Sequence, residues 1–397
     1  MNFLEEKKQM RFYKYKSLLF IIIALIISTN VTANASTDLT KTESLKRKVV
    51  VINGRKDINN ILQNIKHEKV KDLVNLPNSN VCIMKDSDAI ALENSNPDVK
   101  VYSDCTFKVP QIKSSKKQTK QLIPWGIKEI KADAAWKMST GKHVKVAVLD
   151  SGIDYKHPDL RKNIKEGFNA IDHTKVPIDD YGHGTHVSGI LGAVNNNKGI
   201  VGVSPDVNIY PVKVLDETGT GTISDVADGI EWCIKNKIQI INMSFGISED
   251  MPLLHDSIIK AQNAGIIIVA ASGNQGGEQV DYPAAYNEVI SVSAIDEKDS
   301  IADFCPKGKV DFCAPGVDVY STYPNSSYEY LSGTSMSTPF ITGTIALILE
   351  NHPKYTTKDV INKLTSTSND LGAPGKDNIY GAGLVNAYRA TYTNKKN

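Results

Sequence analysis

The chain is short of cysteine, of charge imbalance and of long apolar runs. Its five cysteines, Cys82, Cys105, Cys233, Cys305 and Cys313, are odd in number and contain no CxxC pair. Neither a zinc site nor a dense disulfide framework fits that pattern. Cys305 and Cys313 are close enough in sequence to pair, and partly buried free thiols read equally well. Forty-six Lys and Arg against 44 Asp and Glu leave a formal net charge of +2, so nothing argues for a nucleic-acid partner. No internal repeat or long low-complexity segment is visible. The one continuous apolar run, Leu18 to Ile27, is too short for a comfortable membrane span. No later segment is apolar enough to span, and the final TYTNKKN carries no hydrophobic tail or lipidation signal.

The N-terminus has its own grammar. Lys7, Lys8, Arg11, Lys14 and Lys16 precede the apolar run, and Ala33-Asn34-Ala35 follows it. A basic region, a short apolar core and an A-x-A pattern read as a secretory signal peptide over residues 1–35. A released, extracellular protein with no stable membrane anchor is expected.

Residues 36–120 are rich in Lys, Asn and Asp and poor in Gly. Val49–Asn53, Val81–Lys85 and Val99–Cys105 read as strands, and Asp57–Glu68 and Asp88–Ser95 as helices. This small α+β module ends in QIKSSKKQTK, Gln111 to Lys120, which reads as an exposed linker. From Gln121 onward, short apolar runs alternate with helical periodicity. Val144–Asp150, Asn208–Leu215, Ile238–Phe245 and Gly265–Ser272 read as buried strands, and Ile223–Asn236 as a helix between them. That predicts an α/β domain, a mostly parallel sheet between layers of helices. Active sites in such folds collect at the carboxyl ends of the strands.

Four strand-end stretches carry chemistry. Asp150 closes one apolar run. His183 lies between two glycines in DDYGHGTHVSGILGA. Asn274 follows another strand in AASGN. Ser335 opens the apolar run GTSMSTPFITGTIALIL, Gly333 to Leu349, where Ser and Thr suit a helix start and Pro suits its first turn. Each has a bland reading as a cap or turn. Together they supply a weak nucleophile, a base to take its proton, an acid to orient that base, and a side-chain amide for an oxyanion.

VAVLDSGID, GHGTHVSGI, SGN and GTSMSTP resemble the signatures of the subtilisin family of serine proteases, and the likeness runs from Gln121 to about residue 390. The resemblance implies Asp150 as orienting acid, His183 as general base, Ser335 as nucleophile and Asn274 as oxyanion donor. It implies a propeptide over 36–120, acting as folding aid and inhibitor, and a peptidase domain over 121–397. It also implies a structural calcium ion on Gln121, Asp159, Asn196 and the carbonyls of Val194, Lys198 and Ile200. The substrate-lining segments resemble Ser244-Phe245-Gly246 and Ala271-Ser272-Gly273.

The floor of the specificity pocket corresponds to Asp281, where the family often carries Gly or Ser. A carboxylate there attracts Lys or Arg, and cleavage after Lys120 would leave Gln121 as the new N-terminus. The bland alternative is a solvated loop acid. Three functions follow. The first is a secreted, self-processing endopeptidase cutting precursors after basic residues, as lantibiotic leader peptidases do. The second is a broad degradative protease, and the third an inactive subtilisin-like binding protein. The partners expected are a peptide or protein substrate and the chain's own propeptide, with the protease a monomer.

Overall fold

The computed structural model describes residues 47–53, 71–75, 79–109, 118–277 and 279–392. The helix expected over Asp57–Glu68, the signal peptide and most of the linker lie outside them. The chain divides into two compact units, Met1–Asp104 and Cys105–Asn397.

In the first unit, β1 (Arg47–Asn53) lies between β3 (Ser79–Lys85) and β4 (Val99–Ser103), antiparallel to both, and β2 (Lys71–Asn75) adds outside β3. Helix α1 (Asp86–Ser95) covers one face through Ala89 and Leu92, which join Val50, Ile52, Cys82, Met84 and Val99 in a small core. Alternate residues of β1, Val50 and Ile52, serve this cluster, and Val49 and Val51 on the other face are buried as well.

The second unit is built on seven parallel strands in the order β13-β12-β11-β10-β6-β8-β7. They are β6 (Lys145–Asp150), β7 (Phe168–Asn169), β8 (Asn208–Lys213), β10 (Ile240–Met243), β11 (Ile267–Ala271), β12 (Ile290–Ile295) and β13 (Phe312–Pro315). Helices cover both faces, which is why β11 is apolar at every position and even the polar Asn242 of β10 is buried. Val146 and Val148 point into a core shared with α5 (Thr334–Asn351). Leu149 points the other way, where α3 (Ile223–Lys235) approaches closely enough that a Cβ on Gly229 would contact Val212, Val214 and Leu149. Helix α4 (Pro252–Asn263) packs beside α3, and α2 (His183–Gly192) packs against α5. The outcome is a three-layer α/β fold.

Strand order reverses between β6 and β10. The chain runs from β6 to the edge strand β7, comes back to β8 beside β6, then crosses to build β10 to β13 on the other side. A crevice opens at such a switch point, above the strand ends that carry Asp150 and Ser244. Two small ribbons flank it: the hairpin of β14 (Val319–Tyr323) and β15 (Ser327–Leu331), and β5 (Thr106–Lys108) paired with β9 (Thr220–Thr222).

Candidate active site

Asp150 is the last residue of β6 and is fully buried. Its Oδ1 accepts the Ser151 N–H at 2.7 Å. Both carboxylate oxygens face Nδ1 of His183, at 2.8 and 2.9 Å. His183 is the first residue of α2. The glycines beside it are there for close approach. Gly182 has φ +115°, and a Cβ on it would strike the Tyr323 ring at 2.4 Å. A Cβ on Gly184 would meet the Gly152 carbonyl at 2.2 Å.

A second carboxylate, which the sequence reading missed, locks this corner. Asp179 accepts from Ser151 Oγ, the Tyr181 and Gly182 N–H groups, and both the N–H and hydroxyl of Thr185. All five groups donate, as an ionised carboxylate requires. Ser151 Oγ in turn accepts the Gly184 N–H at 2.9 Å. The end of β6 and the start of α2 are thereby tied together through one buried carboxylate, whose pKa burial raises against these donors. Lys213 adds a tie from β8, donating to the Ser151 carbonyl at 2.8 Å and to Asp180 at 2.6 Å.

These charges act on the base. Burial alone would push the His183 imidazole down, but Asp150 outweighs it, with Asp179 adding to the effect, and the pKa sits above the ordinary 6.5. A base must be neutral to take a proton. Activity should therefore fall with acid on a limb whose midpoint lies above 6.5. A kcat/KM profile with its acid midpoint below that value would contradict the coupling.

Ser335 is the second residue of α5 and is 4 % exposed. Its hydroxyl donates to the Ser244 carbonyl at 2.7 Å. The Ser335 carbonyl accepts Ser244 Oγ at 2.8 Å. Pro339 explains why that carbonyl is free. The proline was expected in the first turn but lies inside the helix, where it has no N–H to give to the residue four positions back. Ser244 supplies the missing donor, and Asn242 Nδ2 donates to Ser244 at 2.9 Å.

Asn274 is held from the same helix. Its Oδ1 accepts the Thr334 N–H at 2.9 Å and hydroxyl at 3.1 Å. That fixes the amide with its Nδ2 as the free donor end. Asp150 and His183 thus meet directly, Asn274 is tied to Thr334 beside Ser335, and Ser335 bonds Ser244, which follows β10 next to the Asp150 end of β6.

Asp281 is 6 % exposed and lies between two glycines of the expected pocket walls. A Cβ on Gly246 would sit 2.6 Å from its Cβ, and one on Gly273 would sit 2.7 Å from its Oδ2. Its N–H bonds the Ser272 carbonyl at 2.8 Å. Burial pushes its carboxyl up, opposed by a hydrogen bond from Gln275. The other wall residues divide by backbone and side chain. Ala271 ends β11, while the hydroxyls of Ser244 and Ser272 are buried. Phe245 turns its ring onto Phe107, centroids 4.7 Å apart.

The residues expected to hold calcium also converge. Gln121 Nε2 lies 3.3 Å from the Val194 carbonyl and 3.5 Å from that of Ile200. Asn196 Nδ2 donates to Asp159 Oδ1 at 3.0 Å, and Lys198 enters through its N–H, which donates to Asn196 Oδ1. Asp159 Oδ2 accepts from the Ile200 N–H and the Tyr328 hydroxyl. Among the described residues no group of three or more His, Cys, Asp or Glu is placed to hold a metal ion. An all-oxygen set with one carboxylate, two amides and main-chain carbonyls fits calcium and would not register as such a cluster. Cys305 and Cys313 are free thiols, like the other three cysteines.

Comparison with known proteins gives a consistent picture. Residues 141–383 match the subtilase family. The chain is 42 % identical to Subtilisin Savinase of Lederbergia lenta over 273 residues, 68 % of this chain and 99 % of that protein. It is 42 % identical to a thermostable alkaline protease of Halalkalibacterium halodurans over 290 residues, 72 % of this chain and 79 % of that one. With the minor extracellular protease Epr of Bacillus subtilis it shares 40 % identity over 321 residues. That match takes in 78 % of this chain but spans only 48 % of the relative.

Proposed function

The chain belongs to the subtilase family and is a serine endopeptidase; from that premise we propose that it is a secreted, self-processing zymogen that cleaves precursors after Lys or Arg. The observation that carries the selectivity is the Asp281 carboxylate, set between Gly246 and Gly273 in a nearly dry recess. A buried carboxylate held by the neutral Gln275 amide pays for its charge in lost hydration, and a bound lysine or arginine side chain offsets that cost. A peptide library cut by the purified protein and read by mass spectrometry tests it. Cleavage confined to the carboxyl side of Lys and Arg is expected, and cleavage after large apolar residues would return the protein to a degradative role.

In this reading Ser335 attacks the scissile carbonyl as His183 Nε2 takes its proton. Asp150, bonded to Nδ1, keeps the imidazole in the tautomer that can accept, and stabilises the imidazolium that forms. Asn274 Nδ2 and the Ser335 N–H at the start of α5 hold the oxyanion. His183 then returns the proton to the leaving amine. Residues 36–120 are the propeptide, and a cut after Lys120 leaves Gln121, already beside the Val194 and Ile200 carbonyls, as the new N-terminus. Secretion accords with the expected signal peptide. No helix among the described residues is long and apolar enough to cross a membrane.

Calcium, when bound, would be held by Asp159, Asn196, Gln121 and the carbonyls of Val194, Lys198 and Ile200, and supplies positive charge that fastens the loop. A ligand held at about a thousand times its Kd stabilises by about 4 kcal/mol. Chelation should therefore lower Tm by roughly 10 °C, and Asp159→Asn should abolish that difference. A melting curve indifferent to calcium in the wild type would remove the site.

A further inference from the structure

A strand of the second unit's own chain runs along the crevice. β5 pairs antiparallel with β9, Thr106 opposite Thr222, Phe107 opposite Gly221 and Lys108 opposite Thr220. The ladder continues on both sides. The Ile223 N–H donates to the Cys105 carbonyl, and the Val109 N–H to the Gly219 carbonyl at 2.9 Å. Phe107 stacks on Phe245, next to the Ser244 carbonyl that holds the Ser335 hydroxyl. This segment therefore lies as an added strand on the wall that leads to Ser335 and His183, which is how a sheet edge takes an extended peptide.

One side chain grips its main chain. Tyr181 stands two positions before His183, and its hydroxyl donates to the Val109 carbonyl. The geometry leaves the ring little choice. Its N–H is bound by Asp179 and its carbonyl by the Tyr323 hydroxyl at 3.2 Å. The ring lies against Gly219, where a Cβ would come within 2.5 Å. Burial, with Tyr323 and Asp150 nearby, holds the phenol's pKa up at about 12, so it stays a donor in alkaline solution.

We propose that Tyr181 is a substrate-positioning residue whose hydroxyl donates to a main-chain carbonyl of the bound peptide, at the place Val109 occupies, and so ties the peptide to the wall beside His183. The contact reads backbone, not side chain. It adds grip on any extended peptide and leaves selectivity to the pocket of Asp281. The inference rests on the peptidase reading of the site.

The test is a cycle of two changes. Wild type and Tyr181→Phe are compared on one peptide with a lysine before the scissile bond. They are compared again on versions in which each carbonyl ahead of that bond is replaced in turn by a thioamide, a weak acceptor. Tyr181→Phe should lower kcat/KM on the parent peptide about 3- to 10-fold. The change should fall in KM, with kcat and the acid limb unchanged. At one position the thioamide should cost wild type the same factor and cost Tyr181→Phe nothing further. Additive losses at every position, or an unchanged KM in a variant with wild-type Tm, would overturn the clamp. Wild-type failure on the parent peptide would instead sink the peptidase reading, so the two failures are distinguishable.

Discussion

Ser335→Ala is expected to leave the zymogen uncut, with peptide turnover reduced by about 10⁶-fold, the loss known for the same constellation in subtilisin. The physical reason is that no neighbouring group substitutes for the hydroxyl. Ser337 is turned into the fold, donating to the Ala314 and Pro315 carbonyls. Thr334 is committed to Asn274 and Gly273. Folding should survive, because the variant loses only the bond to the Ser244 carbonyl, worth about 1 kcal/mol. Intact mass before and after incubation reads the outcome. A variant that matures at the wild-type rate would show that Ser335 is not the nucleophile.

The second large effect is expected at Asp281. Asp281→Asn keeps the shape of the recess and removes its charge. Truncating one partner of a buried charged pair costs about 2–5 kcal/mol, so kcat/KM for Lys or Arg before the scissile bond should fall roughly 30- to 4000-fold. Substrates with an apolar residue there should be unaffected or improved. Burial raises the Asp281 pKa, so the carboxyl takes up a proton at a higher pH than an exposed aspartate would. The preference for basic over apolar substrates should accordingly fade as pH drops. Equal loss on both substrate classes would show that Asp281 supports the pocket without selecting what enters it.

Much of this site was legible in the chain, for reasons that differ by residue. Asp150 and Asn274 follow continuous apolar runs, and such runs mark buried parallel strands whose ends face a crevice. His183 stood out through its glycines, and the Tyr323 ring and Gly152 carbonyl are what those glycines admit. Strand β12 was not legible, because Ser291 and Ser293 interrupt its apolar pattern although both are fully buried. β14 and β15 form a hairpin whose tyrosines and Glu329 read as surface. Asp179 stands four residues before His183, where it reads as one more loop acid. Only the fold shows that it faces Ser151 and the first turn of α2. The position of Pro339 was misjudged because α5 begins at Thr334, ahead of its apolar run. Main-chain carbonyls have no letter in the sequence and a single carboxylate marks no metal site, so the whole calcium set is an expectation from family likeness.

The central claim is that one serine, activated by one histidine, cuts peptide bonds. It is tested most directly by treating the mature protein with a phosphonate that reacts only with activated serines, followed by peptide mapping. The account predicts a single stoichiometric adduct, on Ser335, with loss of all peptidase activity and no adduct in His183→Ala. An adduct on another residue, or full activity after Ser335 is modified, would contradict it.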